Sequence, residues 1–133
     1  MSTITQTIMS AQAATGVSTA VNVENYKTVN LTVSGASTPT GTIKFAVSDS
    51  ELVPDFSSAA SPTNPWVYAA VVDAQSGSVI AGNTGIAFTG TAGTNMYTVN
   101  VDGMRWVCSN VTAYTAGNYT ILMRAHPVFT PIA

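Results

Sequence analysis

The chain has 133 residues, and only 8% of them are charged, with a formal net charge of −2. This length suits one domain with a single core. The four basic residues are scattered, which argues against nucleic acid and anionic membrane surfaces as partners because both require clustered cations. So few charges are typical of a subunit covered by its neighbours, although a monomer with a Thr-rich exterior would share this composition.

The first segment, residues 1–23, is polar and rich in small residues. It lacks the basic start and the continuous apolar run of a signal peptide, and no later stretch is long and apolar enough to cross a bilayer, so we expect synthesis in a cytoplasm. Ile4 and Ile8 are spaced at period two or four. The segment predicts an extended N-terminal arm, with one strand at residues 17–23, laid against its own domain or a neighbouring subunit.

Two alternating segments predict a first hairpin. Residues 27–34 and 42–48 carry apolar side chains at every second position, the period of a half-buried strand. Glycine, serine, threonine and proline fill residues 35–41, which predicts a turn between them. The inward set is Val29, Leu31, Val33, Ile43, Phe45 and Val47.

The longest irregular segment is residues 49–65, where three prolines remove backbone donors and argue against a strand. A loop of this length is typical of a functional or an interface segment. Its acidic residues Asp49, Glu51 and Asp55 are candidate calcium ligands, since hard cations bind several carboxylate and carbonyl oxygens. Asp and Ser are also common turn formers and no EF-hand pattern is present, so a turn role is favoured over a metal site.

Short strands follow in the second half of the chain. Residues 66–73 are apolar on both faces, which is typical of a central strand or of one whose outer face meets a partner. Shorter strands are predicted at residues 78–81 and 86–89, separated by glycine-containing turns. Residues 126–133, with two prolines, predict an extended C-terminal tail.

Residues 96–124 predict three consecutive antiparallel strands. Asp102-Gly103 supplies the pair that a tight hairpin turn prefers, and Ala116-Gly117 marks a second turn. Cys108, the single cysteine, shares a strand face with Trp106 and is interpreted as a buried small hydrophobe. The inward residues at the two outer strands are Tyr97, Val99, Val101, Tyr119, Ile121 and Met123.

The predicted elements amount to eight or nine short strands within a domain spanning residues 24–125. Turns recur every eight to twelve residues, a spacing that favours an all-β fold. We expect an antiparallel two-sheet sandwich, with a jelly roll as the preferred topology and an immunoglobulin-like arrangement as the alternative.

The core resembles a module of tailed-phage virion proteins. The resemblance rests on VNLTVSGASTPTGTIKFAVSDS at residues 29–50, on Trp66 opening the middle strand, on YTVNVDGMRWV at residues 97–107 and on VTAYTAGNYTILMRA at residues 111–125. It covers roughly three-quarters of the chain. Family members often carry an arginine where this chain has Cys108, and a shorter loop than residues 49–65, so no role of that arginine is carried over.

The resemblance implies a non-enzymatic building block of a virion, such as a head decoration protein or a small tail or fibre component. Its expected partners are copies of itself, for example in a trimer, and other virion proteins such as the major capsid protein. No cofactor is expected. The hypothesis places interface contacts at Ile4, Ile8, Val53, Phe56, Trp66 and Tyr68.

The alternative is a lectin-like or receptor-binding module that stacks a glycan on exposed aromatic rings, with Trp66 and Tyr68 as candidates. Catalysis has little support, because the single histidine, His126, precedes a proline and no nucleophile motif accompanies it.

Overall fold

A computed structural model describes residues 3–127, which contain ten β-strands and no helix. None of these residues therefore belongs to a helix long and apolar enough to cross a membrane. The strands are β1 (Ile4–Gln12), β2 (Gly16–Val17), β3 (Val21–Asn22), β4 (Thr28–Ser48), β5 (Val67–Tyr68), β6 (Val71–Asp73), β7 (Val79–Ile80), β8 (Ile86–Thr89), β9 (Gly93–Asn100) and β10 (Trp106–Ala125).

The ten strands form one antiparallel sheet. Its main path runs β1-β10-β4-β9-β6-β7, while β2 and β3 also pair with β10, and β5 and β8 also pair with β4. Every strand pair is antiparallel. The prediction of an all-β, antiparallel fold is therefore confirmed.

The long strands β4 and β10 pair with each other along nearly their whole length, from Trp106 opposite Ser48 to Arg124 opposite Asn30. The predicted turns at residues 35–41 and 116–117 lie inside these strands, so both predicted chain reversals are wrong. Instead, Thr40 faces Ala116 and the ladder shifts register on either side of it. Left-handed φ values at these positions mark bulges, which bend a strand without ending it.

The turn at Asp102-Gly103 is present, with φ of 84° at Gly103, but the strands on its two sides are not neighbours. Strand β4 lies between them: Leu31 pairs with Tyr97 of β9 on one side and with Met123 of β10 on the other. The prediction of a hairpin at this turn is therefore wrong, although the prediction that Tyr97, Val99 and Val101 point inward is confirmed.

The main core lies on one face of the β4–β10 ribbon. All the predicted inward side chains of residues 27–34, 42–48 and 118–124 are buried in it. The rings of Phe88 and Tyr119 lie 5.1 Å apart, although β8 pairs with the second half of β4 and Tyr119 pairs with the first half. The two halves of the ribbon therefore contact each other across the core.

The N-terminal segment lies against the sheet of its own chain. Strands β1, β2 and β3 follow one another along β10 and form the edge of the sheet there. Ile8 and Met9 are 5% and 4% exposed, and both belong to the main core. Residues 4–22 of the predicted arm are thus part of the folded sheet, while residues 128–133 of the predicted tail lie outside the described residues.

Candidate functional site

The long loop folds over the outer side of the sheet and forms a second, smaller core there. Phe56 packs with Ala46 and Cys108, and all three are buried. Trp66 lies next to this cluster, with its ring 6.1 Å from that of Phe56 and 4.9 Å from that of Tyr68. These aromatic residues therefore hold the loop on the sheet.

The polar atoms of the two candidate glycan-stacking residues bond within the chain. Trp66 Nε1 donates to the Ser58 carbonyl oxygen at 3.1 Å, and Asn110 Nδ2 donates to the Tyr68 hydroxyl at 2.9 Å. Lys44 Nζ lies 5.1 Å from the centre of the Tyr68 ring, a cation–π distance. Both aromatic side chains are half-buried, and the polar atom of each is already hydrogen-bonded within the chain.

The acidic residues of the loop are not gathered around a common point. Asp55 accepts hydrogen bonds from the Ser57 hydroxyl, the Ser58 hydroxyl and the Ser57 backbone, and these bonds lower the pKa of its carboxyl. That pattern is typical of an Asx turn. Asp49 and Glu51 are exposed. Within residues 3–127 no group of three or more His, Cys, Asp or Glu side chains is placed to hold a metal ion.

The remaining reactive side chains lie apart. His126 Nδ1 contacts the Thr3 hydroxyl at 3.4 Å at the exposed end of β10. Cys108 is fully buried in the second core, and burial raises the pKa of its thiol to about 12. The thiol is therefore protonated at neutral pH and does not act as a nucleophile.

The raised pKa of Cys108 predicts a loss of stability at alkaline pH. The thiol of the unfolded chain ionises near its ordinary pKa of 9.0, whereas burial raises the pKa of the native thiol to about 12. The contribution of this group to the free energy of unfolding is therefore complete below pH 9 and is lost between pH 9 and 12. At pH 10 the free energy of unfolding should have fallen by about 1 kcal/mol on this account. Urea unfolding of the wild type and of Cys108→Ala, each at pH 8 and pH 10, measures the difference.

The wild type should lose about 1 kcal/mol more than Cys108→Ala between these pH values. Burial also raises the pKa values of Tyr97 and Tyr119, but both tyrosines are present in both proteins and cancel in the comparison. Equal losses in the two proteins would contradict a buried, protonated thiol.

Away from the long loop, the outward side of the sheet is uncovered on β1, β9, β6 and β7, on the first half of β4 and on the second half of β10; we name this surface the outer face. Strand register aligns Arg124, Asn30, Thr98, Val72 and Val79 across five of these strands. A second row contains Leu122, Thr32 and Met96. Val72, Val79 and Met96 are 40%, 69% and 51% exposed. The outer face is thus a flat surface of hydroxyl and apolar groups with few charges.

A groove of about 470 Å³ opens at one end of the outer face. Its apolar lining comes from Ala70, Val72 and Val79, and its charged lining comes from Lys27 and Asp102. The backbone N–H of Val101 donates to the Lys27 carbonyl oxygen at 2.8 Å, which keeps the two charged residues at the same end of the groove. Threonine and asparagine complete the lining: Thr28, Thr98 and Asn100.

The predicted interface residues are divided between several places. Ile8 and Phe56 are buried within the chain, and Ile4 is partly buried against the main core, so little of these side chains is available to a neighbour. Val53 is 51% exposed, beside Leu52 at 79%. Sequence reasoning missed Lys27, Val79 and Asp102. Lys27 and Asp102 come together only through the pairing of Thr28 with Asn100, which no local sequence pattern predicts.

Comparison with known proteins gives one likeness of fold. No protein-family model and no curated protein matches the chain. The crystal structure of the SPBc2 prophage-derived protein YomS is similar to this chain with a TM-score of 0.68 and 14% sequence identity, over 93% of this chain and 92% of that one. The chain therefore shares its fold with a prophage-derived protein.

Proposed function

We propose that this protein is a non-enzymatic structural component of a phage virion, and most specifically a capsid decoration or auxiliary protein that acts through subunit–subunit contacts. The observation that carries the proposal is the outer face, an open sheet surface with exposed apolar side chains. Its partners are other copies of the chain and other virion proteins such as the major capsid protein.

Covering this surface would remove exposed apolar side chains from water. Fully burying an exposed valine or methionine side chain stabilises a complex by roughly 1.5–3 kcal/mol, and the outer face displays several of them. Few charged groups on the face have to be desolvated in exchange, which removes the main cost of covering it. Exposed apolar side chains on a surface rimmed by polar residues are typical of proteins that bind other proteins. The fold shared with a prophage-derived protein supports the placement in a phage.

We also infer that the sheet folds into the two layers of a sandwich, with the jelly roll as its topology. The support is the contact of Phe88 with Tyr119, because Phe88 lies on β8, which pairs with the second half of β4, whereas Tyr119 of β10 pairs with the first half. Gly35 adds to it, because a Cβ atom there would lie 2.7 Å from the Phe88 ring.

The alternative, a lectin-like or receptor-binding module of a tail or fibre, has weaker support. Trp66 and Tyr68 are half-buried, and their polar atoms bond to Ser58 and Asn110. A glycan would have to displace these bonds or bind without them.

Quantitative mass spectrometry of virus particles purified from the source tests the proposal by counting copies of this chain in each particle. A decoration or shell protein should be present in hundreds of copies. A count of about a dozen would instead place the chain in a tail, fibre or vertex and favour the receptor-binding alternative. Absence from the particles would overturn the virion assignment.

A further inference from the structure

We propose that the groove on the outer face is self-complementary and binds the same groove of a second copy about a two-fold axis. This inference rests on the proposed function, since it names one of the subunit contacts. The occupant is a second copy of this chain, and three properties of the groove support it: its charges, its apolar lining and the size of the face around it.

The charges of the groove are one cation and one anion, Lys27 and Asp102. The one ion pair found within residues 3–127 joins Arg105 to Glu24, so Lys27 and Asp102 make no ion pair with each other or with another described residue. They nevertheless lie at the same end of the groove. A two-fold axis that passes between them sets Lys27 of each copy against Asp102 of the other, which is the reciprocal pattern of an isologous interface.

The apolar lining is matched in the same way. Val72, Val79 and Ala70 of one copy would meet the same three residues of the other, so the contact removes apolar surface from water on both sides. The two cross-subunit ion pairs at the end of the groove would fix the orientation of the copies. Electrostatic complementarity of this kind contributes mainly specificity and register.

The outer face is also of a suitable size. From the strand spacing and the rise per residue, its paired positions project over about 550 Å². Protruding side chains give it an accessible area larger than this projection. A stable dimer interface buries roughly 800 Å² on each partner, so the contact would have to extend from the groove over most of the outer face.

Two complementary charge variants test the inference with purified full-length protein. Lys27→Glu makes both charged residues of the groove acidic, and Asp102→Lys makes both of them basic. Analytical ultracentrifugation should find the wild type as a dimer and each variant alone associating at least about tenfold more weakly, because like charges face each other.

An equimolar mixture of the two variants should dimerise again. In the mixed dimer the glutamate introduced at position 27 of one copy would face the lysine introduced at position 102 of the other. The native Asp102 of the first copy would face the native Lys27 of the second, so both ion pairs would be restored.

A matched pair of valine substitutions provides the control. Val79 and Val67 are 69% and 61% exposed, both in two-residue strands, but Val79 lines the groove and Val67 does not. Val79→Asp should weaken the association as strongly as the charge variants, and Val67→Asp should leave it unchanged. Circular dichroism of all variants checks that each is folded.

The inference would be overturned by a monomeric wild type, by charge variants that associate as the wild type does, or by a mixture that fails to dimerise. The proposed function is tested separately by the copy number in particles. A protein that is abundant in particles but monomeric in solution would overturn this inference and not the proposed function. A protein that dimerises in solution but is absent from particles would overturn the proposed function and not the dimer.

Discussion

Replacing Gly117 by alanine is expected to destabilise the protein by about 2–5 kcal/mol, which is a large part of the total stability of a small domain. Two costs add at this position. Its φ of 85° is left-handed, a conformation that costs an L-residue roughly 1–2 kcal/mol. A Cβ atom there would also lie 2.5 Å from the Pro39 Cα atom of the facing strand, so backbone would have to move where the ribbon bends.

Gly103 is the matched control for this substitution. Its φ of 84° is nearly the same, but a Cβ atom there would meet nothing within 4 Å. Gly103→Ala should therefore cost only about 1–2 kcal/mol, the conformational part alone. Urea unfolding of both variants measures the difference. Equal losses would mean that the two strands are not packed against each other at the bend.

Deleting residues 1–16 is expected to destabilise the domain severely, by about 4 kcal/mol or more. The deletion removes β1 and with it the buried side chains of Ile8 and Met9, each contributing roughly 1.5–3 kcal/mol through burial. It also leaves the edge of β10 unpaired where β1 lies, from Ala125 opposite Ile4 to Tyr119 opposite Gln12. The sequence predicted an arm laid against its own domain or a neighbouring subunit; the burial of Ile8 and Met9 in the main core predicts that the domain folds poorly without it.

Thermal and urea unfolding of the truncated chain test this expectation. Ile8→Ala and Thr7→Ala are a neighbouring pair of controls, because Ile8 is buried and Thr7 is exposed on the same strand. The first should cost about 2–4 kcal/mol and the second less than about 0.5 kcal/mol. A truncated chain that unfolds at the wild-type urea midpoint would show that β1 contributes nothing to the core.

Alternation along the sequence was sufficient to predict the fold class and most of the core. It correctly placed Val29, Leu31 and Val33 inside, because side chains on a strand alternate between two faces whatever the strand pairs with. It did not predict how far a strand continues. A glycine or serine with left-handed φ occurs in bulges as well as in turns, so residues 35–41 gave the same local signal as a chain reversal.

The candidate site was harder to predict than the core, because it depends on which strands are neighbours. The apolar residues on both faces of residues 66–73 predicted either a central strand or a strand whose outer face meets a partner, and the structure leaves Val72 of this segment 40% exposed. Lys27 and Asp102 carry no signal of their own. They become members of one groove only through the pairing of β4 with β9, a long-range contact that local pattern does not determine.

The central position of β4 also determines when this chain can fold. Its first half pairs only with β9 and β10. Leu31 therefore cannot pair within the sheet until Tyr97 and Met123 are present, and the ribosome adds these residues much later. Contacts of such high sequence separation slow folding, since a long loop has to close before any of them forms. We therefore expect the nascent chain to stay unfolded until β10 has emerged and then to fold in one cooperative step.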